Sequence, residues 1–333
     1  MQRSTERGKT LVAVLAIWLG LPAHVAVGGA LFVSDPNSGT IYRFASTGTR
    51  TTFASGLTLA QGLACDRDGD LFAADGGSGV EEGWINEYSP TGSRSTFASV
   101  AGPLGLAFDG AGNLFASSLT YGSIYKFTPQ GTQYTFASNL GGLTIGFFAF
   151  DPSGNLFVSV PGTSVSHIYE FTPDGRQSVF SAAVFFPTGL AVDANGDVFV
   201  GDQGSQCIYK FTPSGVRSTF ASGLDQPQAL AFDGSGNLFE ADYGSGNVYE
   251  FTPGGTRSTF ASGIHPNGLA FTSTPEPPAF ALLTAGAVAL LGHAWRRKQR
   301  RQSVAVPNDL SGPATSAFPP TLSRSAGLRR RAA

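Results

Sequence analysis

The sequence predicts an all-β fold, a six-bladed β-propeller of four-stranded blades, to which an N-terminal signal helix and a C-terminal transmembrane helix are added. Three observations predict it. The 333 residues include 44 glycines and 27 phenylalanines but only 13% charged residues, a composition that favours short strands joined by tight turns. A unit of about forty residues recurs along the chain, as it does in propeller blades. Each end of the chain carries an apolar segment next to basic residues.

A Leu-Phe or Val-Phe pair marks the recurring unit. The pair returns at intervals of 40, 43, 42, 42 and 40 residues, with its first residue at Leu31, Leu71, Leu114, Leu156, Val198 and Leu238. Each unit holds four short segments separated by glycine-containing turns, such as residues 109–113 and 128–131. Glycine supplies the positive φ that tight hairpin turns need. The spacing therefore predicts one four-stranded blade per unit.

The two ends of the repeat region predict how the ring closes. The outermost strand occurs six times, around Phe53, Phe97, Phe136, Phe180, Phe220 and Phe260. The first blade lacks an innermost strand, whereas an unpaired first-strand sequence, residues 268–271, follows the sixth blade. We expect this last strand to complete the first blade, because a closed ring leaves no sheet edge unpaired there.

The N-terminal segment is typical of a secretory signal. Arg3, Arg7 and Lys9 precede the apolar run 11–21, and small residues follow it. We expect cleavage near residues 26–30, because the run is too short to span a bilayer comfortably. The predicted domains are a signal peptide (1–28), the propeller (29–273), a sorting signal with a transmembrane helix (274–301) and a disordered basic tail (302–333).

The C-terminal segment has three features in a fixed order. Pro275, Glu276 and Pro277 precede an apolar stretch, 278–295, and Arg296 and Arg297 open a basic cluster directly after it. This order resembles the PEP-CTERM sorting signal of Gram-negative bacteria. The resemblance implies processing by an exosortase-type enzyme, export across the inner membrane, anchoring by the C-terminal helix, and a final place at the cell surface or in the extracellular matrix. A plain membrane anchor is the alternative.

The repeat itself also resembles a known family. Residues 236–247 read Gly-Asn-Leu-Phe-Glu-Ala-Asp-Tyr-Gly-Ser-Gly-Asn. This pattern is similar to the NHL repeat and to the wider class of six-bladed propellers that includes gluconolactonases and streptogramin B lyases. The resemblance implies the fold but not an activity, because propellers host unrelated functions.

The charge distribution disfavours nucleic-acid binding, and the spacing of the cysteines disfavours a disulfide. Residues 29–277 carry 9 Lys/Arg and 21 Asp/Glu, so nucleic acid is not an expected partner. Cys65 and Cys207 fall three blades apart, too far for a disulfide.

Candidate site residues cluster on one end of the predicted ring. We call this end, formed by the loops between second and third strands and by the crossovers between blades, the functional face; the other end is the turn face. Four second strands end there in aspartate: Asp35, Asp75, Asp202 and Asp242. These carboxylates are an arc that fits a divalent cation such as calcium or a sugar hydroxyl, or they cap their own loops. No cofactor is certain.

A second group lies at the channel mouth, one residue before each inner strand: Gln61, Leu104, Ile145, Thr188, Gln228 and Asn267. Its amides and hydroxyl fit a small neutral or sugar-like ligand, or a hydrated entrance without a ligand. His265 and His167 are candidate general bases or merely solvated loop residues. Trp84 is expected to be exposed, for sugar stacking or for packing on a neighbouring loop. Glu240, inside a strand, is expected to have a partner or to reach solvent.

These features favour a non-catalytic binding or scaffold protein of the cell envelope or exopolysaccharide, with envelope glycans or proteins and the membrane as partners. The alternative is a metal-dependent hydrolase or lyase that resembles the gluconolactonases or streptogramin lyases and uses the aspartate arc with Glu240 or His265. Residues 66–70 look like a calcium-loop fragment, but their spacing predicts a plain turn.

Overall fold

The computed structural model describes residues 29–272, apart from 47, 80, 141–144 and 163. These residues belong to the first of two compact units, Met1–Glu276. The predicted signal helix, sorting signal, transmembrane helix and basic tail lie outside the described residues. Within them, no helix has the length and apolar character needed to cross a membrane.

The described residues form twenty-four strands in six four-stranded antiparallel sheets. The strands are β1 Leu31–Asp35, β2 Thr40–Phe44, β3 Arg50–Ala54, β4 Ala60–Cys65, β5 Leu71–Asp75, β6 Trp84–Tyr88, β7 Arg94–Ser99, β8 Pro103–Phe108, β9 Leu114–Ser118, β10 Ser123–Phe127, β11 Gln133–Ala137, β12 Phe148–Phe150, β13 Leu156–Val160, β14 His167–Phe171, β15 Gln177–Ser181, β16 Pro187–Val192, β17 Val198–Asp202, β18 Cys207–Phe211, β19 Arg217–Ser222, β20 Pro227–Phe232, β21 Leu238–Asp242, β22 Asn247–Phe251, β23 Arg257–Ser262 and β24 Leu269–Phe271. The sheets are blade 1 (β24, β1–β3), blade 2 (β4–β7), blade 3 (β8–β11), blade 4 (β12–β15), blade 5 (β16–β19) and blade 6 (β20–β23).

The predicted closure of the ring is confirmed. Strand β24 pairs antiparallel with β1, with Leu31 opposite Phe271 and Val33 opposite Leu269. The last inner strand therefore completes the blade that the first described residues begin. Two side-chain bonds cross the same junction, from Arg50 to the Ser262 carbonyl and from the Tyr243 hydroxyl to Asn37.

The hydrophobic core lies between adjacent blades. Phe72 of blade 2 packs edge-on against Phe97 of its own outer strand and Phe108 of blade 3, both at 5.1 Å between ring centroids. Phe115 and Phe199 make the same pair of contacts in blades 3 and 5. The recurring phenylalanines thus join neighbouring sheets, which explains their abundance.

Two smaller predictions are also confirmed. Cys65 and Cys207 are both free thiols, and burial raises the pKa of Cys65 to about 12, so its thiol is unreactive at neutral pH. Residues 66–70 form a turn in which Asp66 Oδ1 accepts the backbone N–H groups of Asp68 and Asp70, both at 2.9 Å. Asp109 makes the same bonds in the next blade.

Candidate functional site

Irregular inner strands position the residues at the channel mouth. In blades 2, 3, 5 and 6 the register between first and second strands shifts, as between Ala60 and Leu63. The shift leaves a dipeptide outside the ladder, and such bulges redirect side chains. The dipeptides are Gln61-Gly62, Leu104-Gly105, Thr188-Gly189 and Gln228-Ala229. The bulges therefore take Gln61, Thr188 and Gln228 out of the regular ladder at the functional-face end of the inner strands.

The predicted mouth residue of blade 4 was wrong. Ile145 is only 1% exposed and packs in the core between blades 3 and 4. The Gly146 N–H donates to the Ser159 carbonyl, just as the Asn267 N–H donates to the Ser34 carbonyl in blade 1. Gly146 therefore occupies the mouth position, because the inner strand of blade 4 is shifted by one residue relative to the glycine of the repeat.

This shift places a phenylalanine in the centre of the ring. Phe147 takes the position that glycine holds in four blades, Gly62, Gly105, Gly189 and Gly268. Although it belongs to blade 4, Phe147 joins a core cluster with Leu269 of blade 1 and Ala229 of blade 6. Its side chain is 9% exposed. We conclude that Phe147 fills the central channel just below the functional face, and we call it the channel plug.

Two depressions lie on the functional face, and Phe147 lines only the smaller of them. The smaller, of about 260 Å³, is lined by Phe147, Leu104, Thr188, Gln203 and Gln228. The larger, of about 650 Å³, lies between blades 2 and 3 and is lined by Leu59, Gln61, Gly79, Pro103, Leu119 and Thr120, with other loop residues. We call the larger one the blade 2–3 depression. The structure thus brings Thr188 and Gln228 together and places Gln61 in the neighbouring depression.

Hydroxyl side chains tie the blades together around the mouth. Ser34 Oγ donates to the Gln61 carbonyl at 2.5 Å and accepts the Gly268 N–H at 2.7 Å. Ser159 Oγ donates to the Thr188 carbonyl at 2.6 Å. Thr188 Oγ1 in turn donates to the Pro227 carbonyl at 2.6 Å, so this predicted ligand-binding hydroxyl already has a structural partner.

Asn267 is the mouth residue with an unused polar atom. Its backbone N–H bonds to the Ser34 carbonyl at 2.9 Å. Its side chain is 9% exposed, and Oδ1 has no hydrogen-bond partner among the described residues. A buried amide oxygen without a partner is costly, so this atom is available to a water molecule or to a ligand at the mouth.

The four aspartates of the predicted arc bind backbone. Asp75 Oδ1 accepts the Thr58 and Leu59 N–H groups, both at 3.0 Å. Asp202 accepts three N–H groups, from Phe185, Phe186 and Ser205. Asp35 and Asp242 likewise accept N–H groups from their own loop and from the preceding crossover. All four are less than 5% exposed. In the part of the chain that the structure describes, no group of three His, Cys, Asp or Glu residues is placed to hold a metal ion.

The histidines and Trp84 lie away from both depressions. His265 is exposed, and its ring lies 5.7 Å from that of Tyr243. His167 is half-buried and stacks on Tyr169 at 5.4 Å. Trp84 is 36% exposed, as expected, at the functional-face end of β6, where it pairs with Asp75.

The expectation for Glu240 was wrong. Its side chain is 0% exposed, and both carboxylate oxygens lack a hydrogen-bond partner among the described residues. Burial, with a further contribution from Asp242 and an opposing one from Arg257, raises the pKa of Glu240 well above its usual value. Burial therefore favours the protonated form of this carboxyl, which avoids the cost of burying an unpaired charge.

Blade 2 contains a polar cluster that sequence reasoning missed. Asn86 stands where the other blades have tyrosine, it is fully buried, and neither of its amide atoms has a partner within the described residues. The Arg94 guanidinium, whose counterparts Arg50 and Arg217 cover tyrosine rings, instead lies 3.7 Å from the Asp75 carboxylate. The exception to the repeated tyrosine was the signal that could have revealed it.

Comparison with known proteins supports the fold. No protein-family model and no curated protein matches the sequence. Among solved structures, a chain of a nidogen–laminin complex is similar, with 20% identity over 75% of this chain and 100% of that chain, at a TM-score of 0.66. A streptogramin B lyase has 16% identity over 74% of this chain and 84% of that one, at a TM-score of 0.58. A gluconolactonase from Xanthomonas campestris has 16% identity over 77% and 97%, also at 0.58.

These identities are too low to carry more than architecture. This chain is a six-bladed β-propeller with four-stranded blades. Its structural neighbours include both lyases and lactonases and a member of a protein–protein complex.

Proposed function

We propose that this protein is an exported, envelope-associated propeller that binds a glycan or protein of the cell surface or exopolysaccharide through its functional face, without catalysis. The proposal rests on the four aspartates of the arc, whose carboxylates bind backbone N–H groups. Each of the four carboxylates already accepts two or three N–H bonds that hold loops and crossovers in place. The depressions beside them are lined mainly by aliphatic, glycine and amide residues, which bind rather than react.

The first and last residues of the described propeller lie together, away from the functional face. The Ala30 N–H donates to Thr272 Oγ1 at 3.0 Å, and the Thr272 N–H donates to the Ala30 carbonyl at 3.1 Å. Both residues lie at the turn face, where β1 begins and β24 ends. The described residues therefore begin and end on the face opposite the functional face.

Binding is tested with the purified full-length protein on an array of surface glycans and in pull-downs with envelope extracts, each with and without calcium. We expect a ligand whose binding does not require calcium and is weakened by Gln61→Ala or Gln228→Ala. Both side chains are half-buried, so each is accessible to a ligand. Binding that these substitutions leave unchanged contradicts the proposed site.

Export is tested separately. We propose that an exosortase-type enzyme recognises Pro275, Glu276 and Pro277, and that Arg296 and Arg297 stop transfer of the preceding apolar segment. In a host that carries such an enzyme, mass spectrometry of the mature protein should show loss of the chain from residue 279 onward. An intact C-terminus refutes this part of the proposal.

A metal-dependent hydrolase or lyase is the second candidate. The observation that favours it is that exposed His265 lies two residues before Asn267, whose buried Oδ1 has no hydrogen-bond partner among the described residues. Gluconolactonase or streptogramin B lyase activity that is lost in His265→Ala supports this candidate. Activity that His265→Ala and EDTA leave intact contradicts it.

A further inference from the structure

Five of the eight exposed large hydrophobic side chains of the described residues lie on the functional face; the other three are Tyr134, Val179 and Val216. Among the described residues, large hydrophobic side chains that are more than a third exposed include Tyr121 (55%), Val165 (56%) and Phe185 (72%) on its loops and crossovers. Leu59 and Trp84 add to the same face, beside blade 2. Clustered exposed apolar residues mark interaction surfaces more often than isolated ones do.

The blade 2–3 depression includes one of these exposed side chains, Leu59. Leu59, Pro103 and Leu119 form its walls, and its volume of about 650 Å³ is ample for a large side chain with part of its backbone. None of its lining residues is charged. Of its polar side chains, Ser78 already donates to Glu82 at 2.9 Å. Aliphatic walls with few free polar groups fit an apolar side chain better than a sugar ring, which needs several hydrogen bonds.

The charges around the depression indicate what accompanies that side chain. The loops and crossovers of the functional face contain no lysine or arginine in the sequence. The exposed carboxylates Glu81 and Glu82 lie on the loop that also contributes Gly79 to the depression. A segment that approaches across them gains from positive charge next to its apolar anchor.

We infer that the blade 2–3 depression is the docking site for a peptide segment of a partner protein, which inserts one apolar side chain and carries lysine or arginine beside it. This inference rests on the proposed binding function and selects a protein over a glycan as the partner. The buried anchor supplies the affinity, and the acidic rim orients the segment.

The test uses fluorescence anisotropy of the full-length protein with labelled octapeptides. One set carries a central Leu or Phe flanked by Lys, a second replaces Lys with Glu, and a third replaces the apolar residue with Ser. We expect binding of the first set, at least tenfold weaker binding of the second, and no binding of the third. Equal binding of all three sets, or binding of none, overturns the inference.

Three substitutions locate the site. Gly79→Phe places a bulky ring at the lining of the depression. The backbone tolerates the new side chain, because an added Cβ has its closest contact at 3.8 Å, with the Glu82 side chain. We expect it to weaken peptide binding more than tenfold. Gly110→Phe is the matched control, because the turn-face Gly110 has no atom within 4 Å of an added Cβ, and we expect no change. Unchanged binding in Gly79→Phe overturns the inference.

Glu81→Lys keeps the test decisive if Gly79→Phe fails to fold. We expect this exposed substitution to weaken binding of Lys-flanked peptides several-fold and to strengthen binding of Glu-flanked ones; no change in this preference overturns the inference. The proposed function fails separately. Glycan binding that is unaffected by Gly79→Phe, together with no peptide binding, refutes peptide docking and leaves the binding function standing.

Discussion

Glu240 offers the sharpest test of the structure, through the pH dependence of stability. Glu240→Gln keeps the size and shape of the side chain but removes its ionisable group. In the wild type, the folded-state pKa of Glu240 is raised, first by burial and then by Asp242, while Arg257 opposes the shift. In the unfolded chain, a glutamate has a pKa of about 4.3.

The sign of the effect follows from these two values. Below the unfolded pKa, the carboxyl is protonated in both states and its full contribution to stability is present. Above it, the unfolded chain releases the proton while the folded protein keeps it, so folding must take up a proton. The free energy of unfolding therefore falls by about 1.4 kcal/mol per pH unit until the raised folded pKa is reached.

The assay is urea denaturation followed by far-UV circular dichroism, from about pH 4 to about pH 8.5. We expect wild type and Glu240→Gln to have similar stability at the acidic end, because both bury an unpaired polar group of the same shape. The variant should become the more stable protein as pH rises, by up to about 1.4 kcal/mol per unit. Glu81→Gln, on an exposed loop, is the control. Parallel profiles for wild type and Glu240→Gln would refute the buried, protonated state.

Further substitutions test the plug, the blade ties and the aspartates, with unfolding free energy as the measurement. Phe147→Ala should cost about 3–5 kcal/mol by opening a cavity in the channel; a loss below about 1 kcal/mol contradicts the plug. Ser34→Ala should cost about 1–3 kcal/mol, because a buried N–H and carbonyl lose their partner. Ala74→Ser, which supplies the missing hydroxyl beside Leu104, should instead stabilise by about 0.5–1.5 kcal/mol. Asp202→Ala should destabilise strongly and Asp202→Asn mildly, both independently of EDTA; rescue by calcium would favour a metal site.

The strand pattern was predictable because it depends on local rules. The Leu-Phe and Val-Phe pairs begin the second strands β1, β5, β9, β13, β17 and β21, and β24 closes the ring as expected. The alternation of apolar and polar residues and the glycine turns determine the strands, and the incomplete blades at the two ends of the repeat determine how the ring closes.

The channel mouth was harder to predict, because one residue of register decides what it contains. Aligning blade 4 on Gly146 places Ile145 at the mouth, whereas counting back from Asp151, as Asp109 counts back to Gly105, places Phe147 in the ring. Glycine was a poor marker in blade 4. In four other blades this inner-strand position is a glycine that closely approaches the backbone of the next blade, whereas in blade 4 it is Phe147. Glu240 was misjudged for a different reason. Its complete burial depends on tertiary packing, which no local sequence pattern reveals.

The junction between blades 2 and 3 combines the features that make a binding site in a repeat fold. In the second strand, the position of the tying hydroxyl is Ser34, Ser117 and Ser159 in blades 1, 3 and 4, but Ala74 in blade 2. Blade 5 has Gly201 at this position, and its junction with blade 6 is tied instead by Thr188 Oγ1, which donates to the Pro227 carbonyl. Blade 6 has Ala241, and its junction with blade 1 is held by the bonds that close the ring. Blade 2 also carries the longest loop between a second and a third strand. The blade 2–3 depression therefore lies at a junction that lacks the repeated hydroxyl and is flanked by a long loop, and departures of this kind from a repeat pattern are common at functional sites.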